Sequence, residues 1–361
     1  MFWLDDCAFP VREIRPTLGR PKRHAEQEPH AKRSHDPGFG AAASVTPLAL
    51  IVAGPTASGK SALAVELAER FHGTIINADA MQVYRELRVL TARPTLEDEA
   101  RIPHVLYGVR AAAEPGSVAW WRDAALAEMH RAREAGRLPI LTGGSGLYFA
   151  ALTEGLADVP SPAAEARTEA RTLLKQIGPA ALHARLAEAD PATACRLHPT
   201  DSQRVARAWE VWRGTGIGLA AWQASARHPA AWRFAAILLD PPREALRAAI
   251  AARLEAMIAA GALDEVRALL ALDLDPTLPV MRAHGVPELS AHLRGELTFQ
   301  EAIDRVRLVT GQYTKRQATW FRHHELTEPA SSHTIHARFA HPEQLMERIY
   351  PTLLTFIETM A

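Results

Sequence analysis

Residues 48–53, "LALIVA", are apolar at every position, the pattern of a strand buried on both faces. After a short loop, "KSALAVELAERFHG" changes period. Leu63, Leu67 and Phe71 fall on one helical face, and Gly73 offers a stop. "TIINAD" reads as a second strand and "RLPILTGG" as a third, the latter preceded by a helix over "WWRDAALAEMHRAREAG". Strands alternating with helices predict a parallel sheet covered on both faces.

The pattern shifts after residue 156. From there to about residue 228 only helical segments follow, among them "PAALHARLAEAD", "PATACRLH" and "DSQRVARAWEVWRGTG". Ser161-Pro162 suits an N-cap followed by proline at the first helical position. "FAAILLD" returns to strand, and the chain beyond Pro241 is helical, ending in a long segment over 298–322. The expected organisation is therefore an α/β core over 47–155 and 231–350, with a helical insertion over 156–230. Residues 1–46 mix Pro, Gly, His and both charges without periodicity and are expected to be a disordered extension.

Composition narrows the class. The 361 residues are 48% hydrophobic and 23% charged, ordinary for a soluble globular protein. Net charge is zero, so a nucleic-acid partner would need a local basic patch. Cys7 and Cys195 stand alone and define neither a disulfide framework nor a zinc site, which makes a reducing cytoplasm the expected location. No apolar run approaches the roughly 18 residues of a membrane span.

Four stretches carry chemistry. Gly54-Pro-Thr-Ala-Ser-Gly-Lys60-Ser61 lies between a strand and a helix, the setting of a phosphate-binding loop. Its backbone N–H groups and the helix start attract anions, Lys60 adds a cation, and Ser61 can ligate Mg²⁺. Loops of this form commonly hold ATP or GTP, but the pattern specifies only a phosphate or pyrophosphate. Asp79, in "INADAMQVY", ends the second strand, where open α/β sheets bind ligands. There it can accept a proton or hold Mg²⁺ through water, or it can simply cap a helix. "ILTGGSGLYF" ends a strand in Gly143-Gly-Ser145-Gly146 and lacks the terminal acid of an ordinary ATPase strand. "QYTKRQATWFR" places Lys315, Arg316, Gln317 and Arg322 beside Trp320, which suits either RNA contact or a solvated helix face.

Together these stretches resemble the tRNA dimethylallyltransferases, also called tRNA isopentenyltransferases, over residues 48–322. The match is carried in order by "GPTASGKSALAVELA", "INADAMQVYRELRVLTARP", "IPHVLYGV", "LTGGSGLYFAALTEGL", "HPTDSQRVARAWEV", "GALDEVRALL", "MRAHGVPEL" and "TKRQATWFR". The resemblance implies a P-loop kinase-like core with a helical tRNA-gripping insertion and use of Mg²⁺. It implies a monomer that moves a dimethylallyl group from dimethylallyl diphosphate to N6 of the adenine 3′ to the anticodon, in tRNAs reading codons that begin with U. By motif, Gly54, Thr56, Ala57, Ser58, Gly59, Lys60 and Ser61 would bind diphosphate, joined by Arg282. Asp79 would be the general base and Ser145 the hydroxyl near the breaking bond. Gln82, Arg204, Arg207, Lys315, Arg316, Gln317 and Arg322 would face tRNA.

The chain departs from the family pattern at several points. Ala80 stands for a serine, and "GTAKP" has become Leu90-Thr-Ala-Arg-Pro94. Ser145 replaces threonine, Thr200 replaces asparagine, and the common "GY" is Gly285-Val-Pro287, without its tyrosine. The residues by themselves also fit an ATP-dependent small-molecule or nucleotide kinase, prenyl transfer to a free adenine nucleotide, and a non-catalytic RNA-binding protein.

Overall fold

A computed structural model describes residues 46–339 and 342–360. All but the last residue of the extension expected over 1–46 lies outside them. Six strands form one sheet: β1 (Leu48–Ala53), β2 (Gly73–Asn77), β3 (His104–Val105), β4 (Leu138–Gly143), β5 (Arg233–Leu239) and β6 (Ser332–Ile335). Their order is β3-β2-β4-β1-β5-β6, and every pairing is parallel. The four strands expected from the sequence are the four central ones. The two missed, β3 and β6, are edge strands of two and four residues, too short to show either alternation or a buried run.

The central strands are buried and mostly apolar because both faces are covered, with Thr74, Asn77 and Thr142 the polar residues buried among them. β1 sends Ala49, Ile51 and Ala53 to one side and Leu50 and Val52 to the other. The second side packs on α1 (Lys60–Arg70), whose Leu63 and Leu67 are fully buried. Each such leucine contributes about 1.5–3 kcal/mol by leaving water. The chain turns at His72, which is left-handed at φ 50°, so Gly73 opens β2 rather than stopping the helix. Past α2 (Leu96–Arg101), α3 (Val118–Glu134) and α4 (Gly146–Thr153) cover the other side. There Trp121 stacks on Tyr148 with centroids 4.2 Å apart and donates its indole N–H to the Asn77 carbonyl at 2.7 Å.

Four helices follow: α5 (Ala164–Ala189), α6 (Pro191–Ala194), α7 (Ser202–Thr215) and α8 (Leu219–Gln223). They form a small core of their own around Ala170, Leu182, Leu186, Val205 and Trp209. α5 starts at Ala164, two residues beyond the expected proline. Pro162 is instead buried against Gly214, and the helix kinks at Gly178. Where the chain leaves and rejoins the sheet, Ala157 bridges Arg227, whose guanidinium pairs with Glu154 at 2.9 Å.

The remaining helices are α9 (Arg243–Ala259), α10 (Ala262–Leu270), α11 (Val286–Leu293), α12 (Phe299–His323) and α13 (Pro342–Met360). α9 to α12 gather around Leu254, Val266, Leu289, Ile303 and Val306. α12 begins at a capping box in which the Thr298 side chain accepts from the Glu301 N–H while the Glu301 carboxylate accepts from the Thr298 N–H. From there it runs back along the carboxyl edge of the sheet.

Candidate active site

The loop after β1 takes its path from two left-handed residues. Gly59 (φ 91°) precedes α1, and a side chain there would lie 2.0 Å from the Phe339 carbonyl oxygen. Ala57 (φ 67°) is also left-handed, at a cost of about 1–2 kcal/mol for a residue with a Cβ. Its carbonyl is held by Arg338 Nε at 3.0 Å, and Ser58 O accepts from Phe339 N at 3.0 Å. The Ser58 hydroxyl is fully buried and has no partner among the described residues. Ser61 is exposed on the first turn of α1.

Lys60 follows Gly59, with its ammonium 3.4 Å from the Pro55 carbonyl oxygen. Burial lowers its pKa to about 8. Asp79 opposes the shift and Arg253 adds to it.

Asp79 ends the segment after β2. Its Oδ1 accepts from Met81 N at 2.9 Å, and its own N–H donates to Asn77 Oδ1 at 2.9 Å. Beyond Asp79 the chain forms a turn and not a helix, so the carboxylate is no helix cap. The turn after β4 is stitched to this segment: Ala80 N donates to Ser145 Oγ at 3.1 Å and Ser145 N to Ala78 O at 3.3 Å.

α12 joins the two loops. Gln317 is only 4% exposed. Its Oε1 accepts from the amide (2.8 Å) and hydroxyl (3.0 Å) of Thr56, and its Nε2 donates to the Gly144 carbonyl at 3.0 Å. Expected among the RNA-facing groups, Gln317 is thus turned inward, with both the oxygen and the nitrogen of its amide engaged. Gly144 and Gly146 allow the approach, since a Cβ would strike Gln317 at 2.1 Å or the Trp320 ring at 2.2 Å.

Beside these loops lies a cavity of about 430 Å³, within the usual range for small-molecule sites of about 300–1,000 Å³. One part of its wall is polar: Thr56, Asp79, Arg253, Arg282, His284 and Tyr313. The other is apolar: Met81, Leu90, Ile250, Leu254, Met257 and Val306. Asp79 is the only acid among the lining residues. Burial lowers the pKa of Arg253, whose Nη2 donates to the Thr91 carbonyl at 3.1 Å. Burial raises Tyr313 to about 12, with the nearby Asp79 charge adding to the shift, and burial lowers His284. Leu90, which stands where the family pattern has glycine, packs against Gly285 and lines this cavity.

The other expected RNA-facing groups are scattered. Gln82 Nε2 donates to the carbonyls of Thr91 (2.9 Å) and Ala92 (3.1 Å), bracing the loop that carries Leu90. Arg204 and Arg207 lie on α7, paired with Asp201 at 3.5 Å and Glu210 at 3.3 Å. Arg316 sits over the Tyr313 ring, 5.6 Å from its centroid, on the cavity side of α12. Lys315 and Arg322 point elsewhere, into a second cavity, and Arg322 pairs with Asp240 at 3.7 Å.

Several polar cavity residues escaped the sequence reading, among them Arg253, Tyr313, His284 and, from α7, Gln203. Arg253 occupies an ordinary polar position of an amphipathic helix, and only the fold turns it toward Asp79. β4 lies beside β1 and ends without an acid, as expected, whereas β5 on the other flank is followed directly by Asp240. Among the described residues no three His, Cys, Asp or Glu cluster as a metal site. Ser61, on the first turn of α1, is an oxygen donor of the kind a Mg²⁺ ion accepts alongside ligands from phosphate and water.

The sequence model described as IPP transferase matches residues 82–324. A tRNA dimethylallyltransferase of Granulibacter bethesdensis is 61% identical over 310 residues, 86% of this chain and 97% of that protein. One from Gluconacetobacter diazotrophicus is 62% identical over 85% of this chain and 93% of its own length. Among solved structures, a tRNA isopentenylpyrophosphate transferase of Bacillus halodurans aligns with TM-score 0.60 at 32% identity, covering 87% of this chain and 97% of that one. A eukaryotic dimethylallyltransferase acting on tRNA aligns with TM-score 0.71 over 85% of this chain and 78% of its own; at 23% identity it speaks for the fold alone.

Proposed function

The chain belongs to the IPP transferase family and is an enzyme of dimethylallyl transfer to tRNA; on that footing we propose that it moves the group from dimethylallyl diphosphate to N6 of the adenine at position 37, 3′ to the anticodon, in tRNAs reading codons that begin with U. One observation carries the choice of donor: a single cavity sets cations and a lone carboxylate against an apolar wall. A short branched hydrocarbon attached to a diphosphate has the same two halves.

In this reading the diphosphate lies on the loop 54–61, close to Lys60, Arg253 and Arg282. The buried Ser58 hydroxyl and the start of α1 add neutral donors. The cations stabilise the negative charge that grows on the leaving oxygen. Mg²⁺, held by Ser61 and the phosphates, would add to that neutralisation. The adenine N6 forms a bond to C1 of the dimethylallyl group while the C1–O bond breaks and diphosphate leaves. The amine is a weak nucleophile because its lone pair is delocalised, and Asp79 takes its proton. Oδ1 is bound to Met81 N, and Oδ2 accepts no hydrogen bond from the described residues.

RNA contact falls to α7 and α12, and the base must leave its loop stack to reach Asp79. No helix among the described residues is long and apolar enough to cross a membrane. The reading carries with it a cytoplasmic monomer. Incubation with tRNA and labelled dimethylallyl diphosphate, followed by nucleoside analysis, tests it. Label should appear on N6 of that adenine. Label elsewhere, or ADP release from ATP without tRNA as a kinase would give, defeats it.

A further inference from the structure

The groove on the far side of α12 is a second cavity of about 210 Å³, walled by α9 and α12 and sharing only Ile250 with the first. Arg243 and Arg247 line it from α9, one turn apart. Lys315, Thr319 and Arg322 line it from α12 at positions i, i+4 and i+7, so all three share one helix face. No acid is among the lining residues. Asp240 pairs with Arg322, whereas Arg243, Arg247 and Lys315 make no ion pair with the described residues.

Four cations converging on a concave surface repel one another, and α9 opens with no side-chain cap on its first N–H groups, which adds positive potential at the same end. Such an arrangement is unfavourable until an anion enters. The threonine hydroxyl and the arginine forks match the oxygens of a phosphate. Leu246 and Ala318, both buried, line the groove beside them.

We propose that this groove is a phosphate-binding site separate from the loop 54–61. Two sources share that chemistry. One is a backbone phosphate of the RNA substrate, an assignment that rests on the tRNA reading above. The other is a free diphosphate entering or leaving. Arg243 and Arg247 are exposed and outside the apolar core, so both can be replaced without disturbing it.

The test uses the full chain with Arg243→Gln and Arg247→Gln together. Binding of a labelled anticodon stem-loop RNA is followed by anisotropy across salt concentrations, and binding of inorganic pyrophosphate by calorimetry. If RNA backbone is the occupant, RNA affinity falls roughly tenfold and the slope of log K against log salt weakens by about 1–2. If free diphosphate is the occupant, RNA binding holds and pyrophosphate stoichiometry drops from two to one. Unchanged RNA affinity, salt slope and pyrophosphate stoichiometry would overturn the proposal. So would an equal loss in the control Arg70→Gln with Arg133→Gln, which removes the same charge from the ends of α1 and α3. Binding is read and not turnover, so a failed prenyl-transfer reading and a failed phosphate site give different results.

Discussion

Gln317 holds Thr56 by two hydrogen bonds to one oxygen, 2.8 Å from the amide and 3.0 Å from the hydroxyl. The same side chain reaches the Gly144 carbonyl at 3.0 Å. One buried amide therefore sets the spacing between the glycine-rich loop and the turn that bears Ser145. Gln317→Met leaves these groups unpaired and should destabilise the protein by about 1–3 kcal/mol. It should also raise KM for the prenyl diphosphate roughly tenfold. Thr56→Val removes one of the bonds, and the double variant should cost less than the sum of the singles. Strictly additive effects in urea denaturation and in KM would show that the pair is not coupled.

Asp79→Asn keeps an oxygen for Met81 N, so the turn should survive. Loss of the proton acceptor should lower kcat by roughly 10²–10⁴, with tRNA affinity unchanged. Single-turnover rates beside RNA binding curves separate the two effects. Full turnover in this variant ends the general-base assignment.

Lys60 should make diphosphate binding depend on pH. With its pKa lowered to about 8 in the free protein, it loses charge above that pH, and the anion should bind progressively more weakly there. Bound diphosphate favours the charged form, so binding at pH 8 should take up about half a proton. Calorimetry in buffers of differing ionisation enthalpy measures this directly. The folded pKa lies below the unfolded 10.5, so the charged form disfavours the ligand-free fold. Stability should therefore rise between about pH 8 and 10.5. Because Arg253 depresses Lys60, Arg253→Met should move the binding transition to higher pH.

Glu265 accepts the amide N–H groups of Arg88 (2.5 Å), Val89 (2.8 Å) and Leu90 (2.8 Å), and so holds the turn that lays Leu90 along the cavity. Glu265→Gln turns an NH₂ group toward one of these donors. It should cost about 1–3 kcal/mol in denaturant unfolding and raise KM for the prenyl diphosphate. An unchanged midpoint and KM would mean that the turn holds its shape without the carboxylate.

The central sheet was legible because it is buried on both faces. Burial of that kind leaves apolar runs, unbroken over 48–53 in β1 and 234–239 in β5 and shorter in β2 and β4. The loop 54–61 was legible because glycine spacing and a following helix are local properties, and the order of motifs marked the family. The edge strands β3 and β6 were not, because a few half-exposed residues carry no period.

The same limit governs the site. Arg253, Tyr313, His284 and Gln203 come from three helices and a short turn far apart along the chain, and each sits in a locally ordinary sequence. "KRQ" signalled charge and amide but not direction. At 100° per residue, Lys315, Arg316 and Gln317 point three ways: to the second cavity, over Tyr313, and into the buried clamp on Thr56. The sequence by itself determined the alternating α/β core, the glycine-rich turn between β1 and α1, and the family. Which side chains meet, and which of them turn inward, was decided by helix packing between distant segments, which no local pattern encodes.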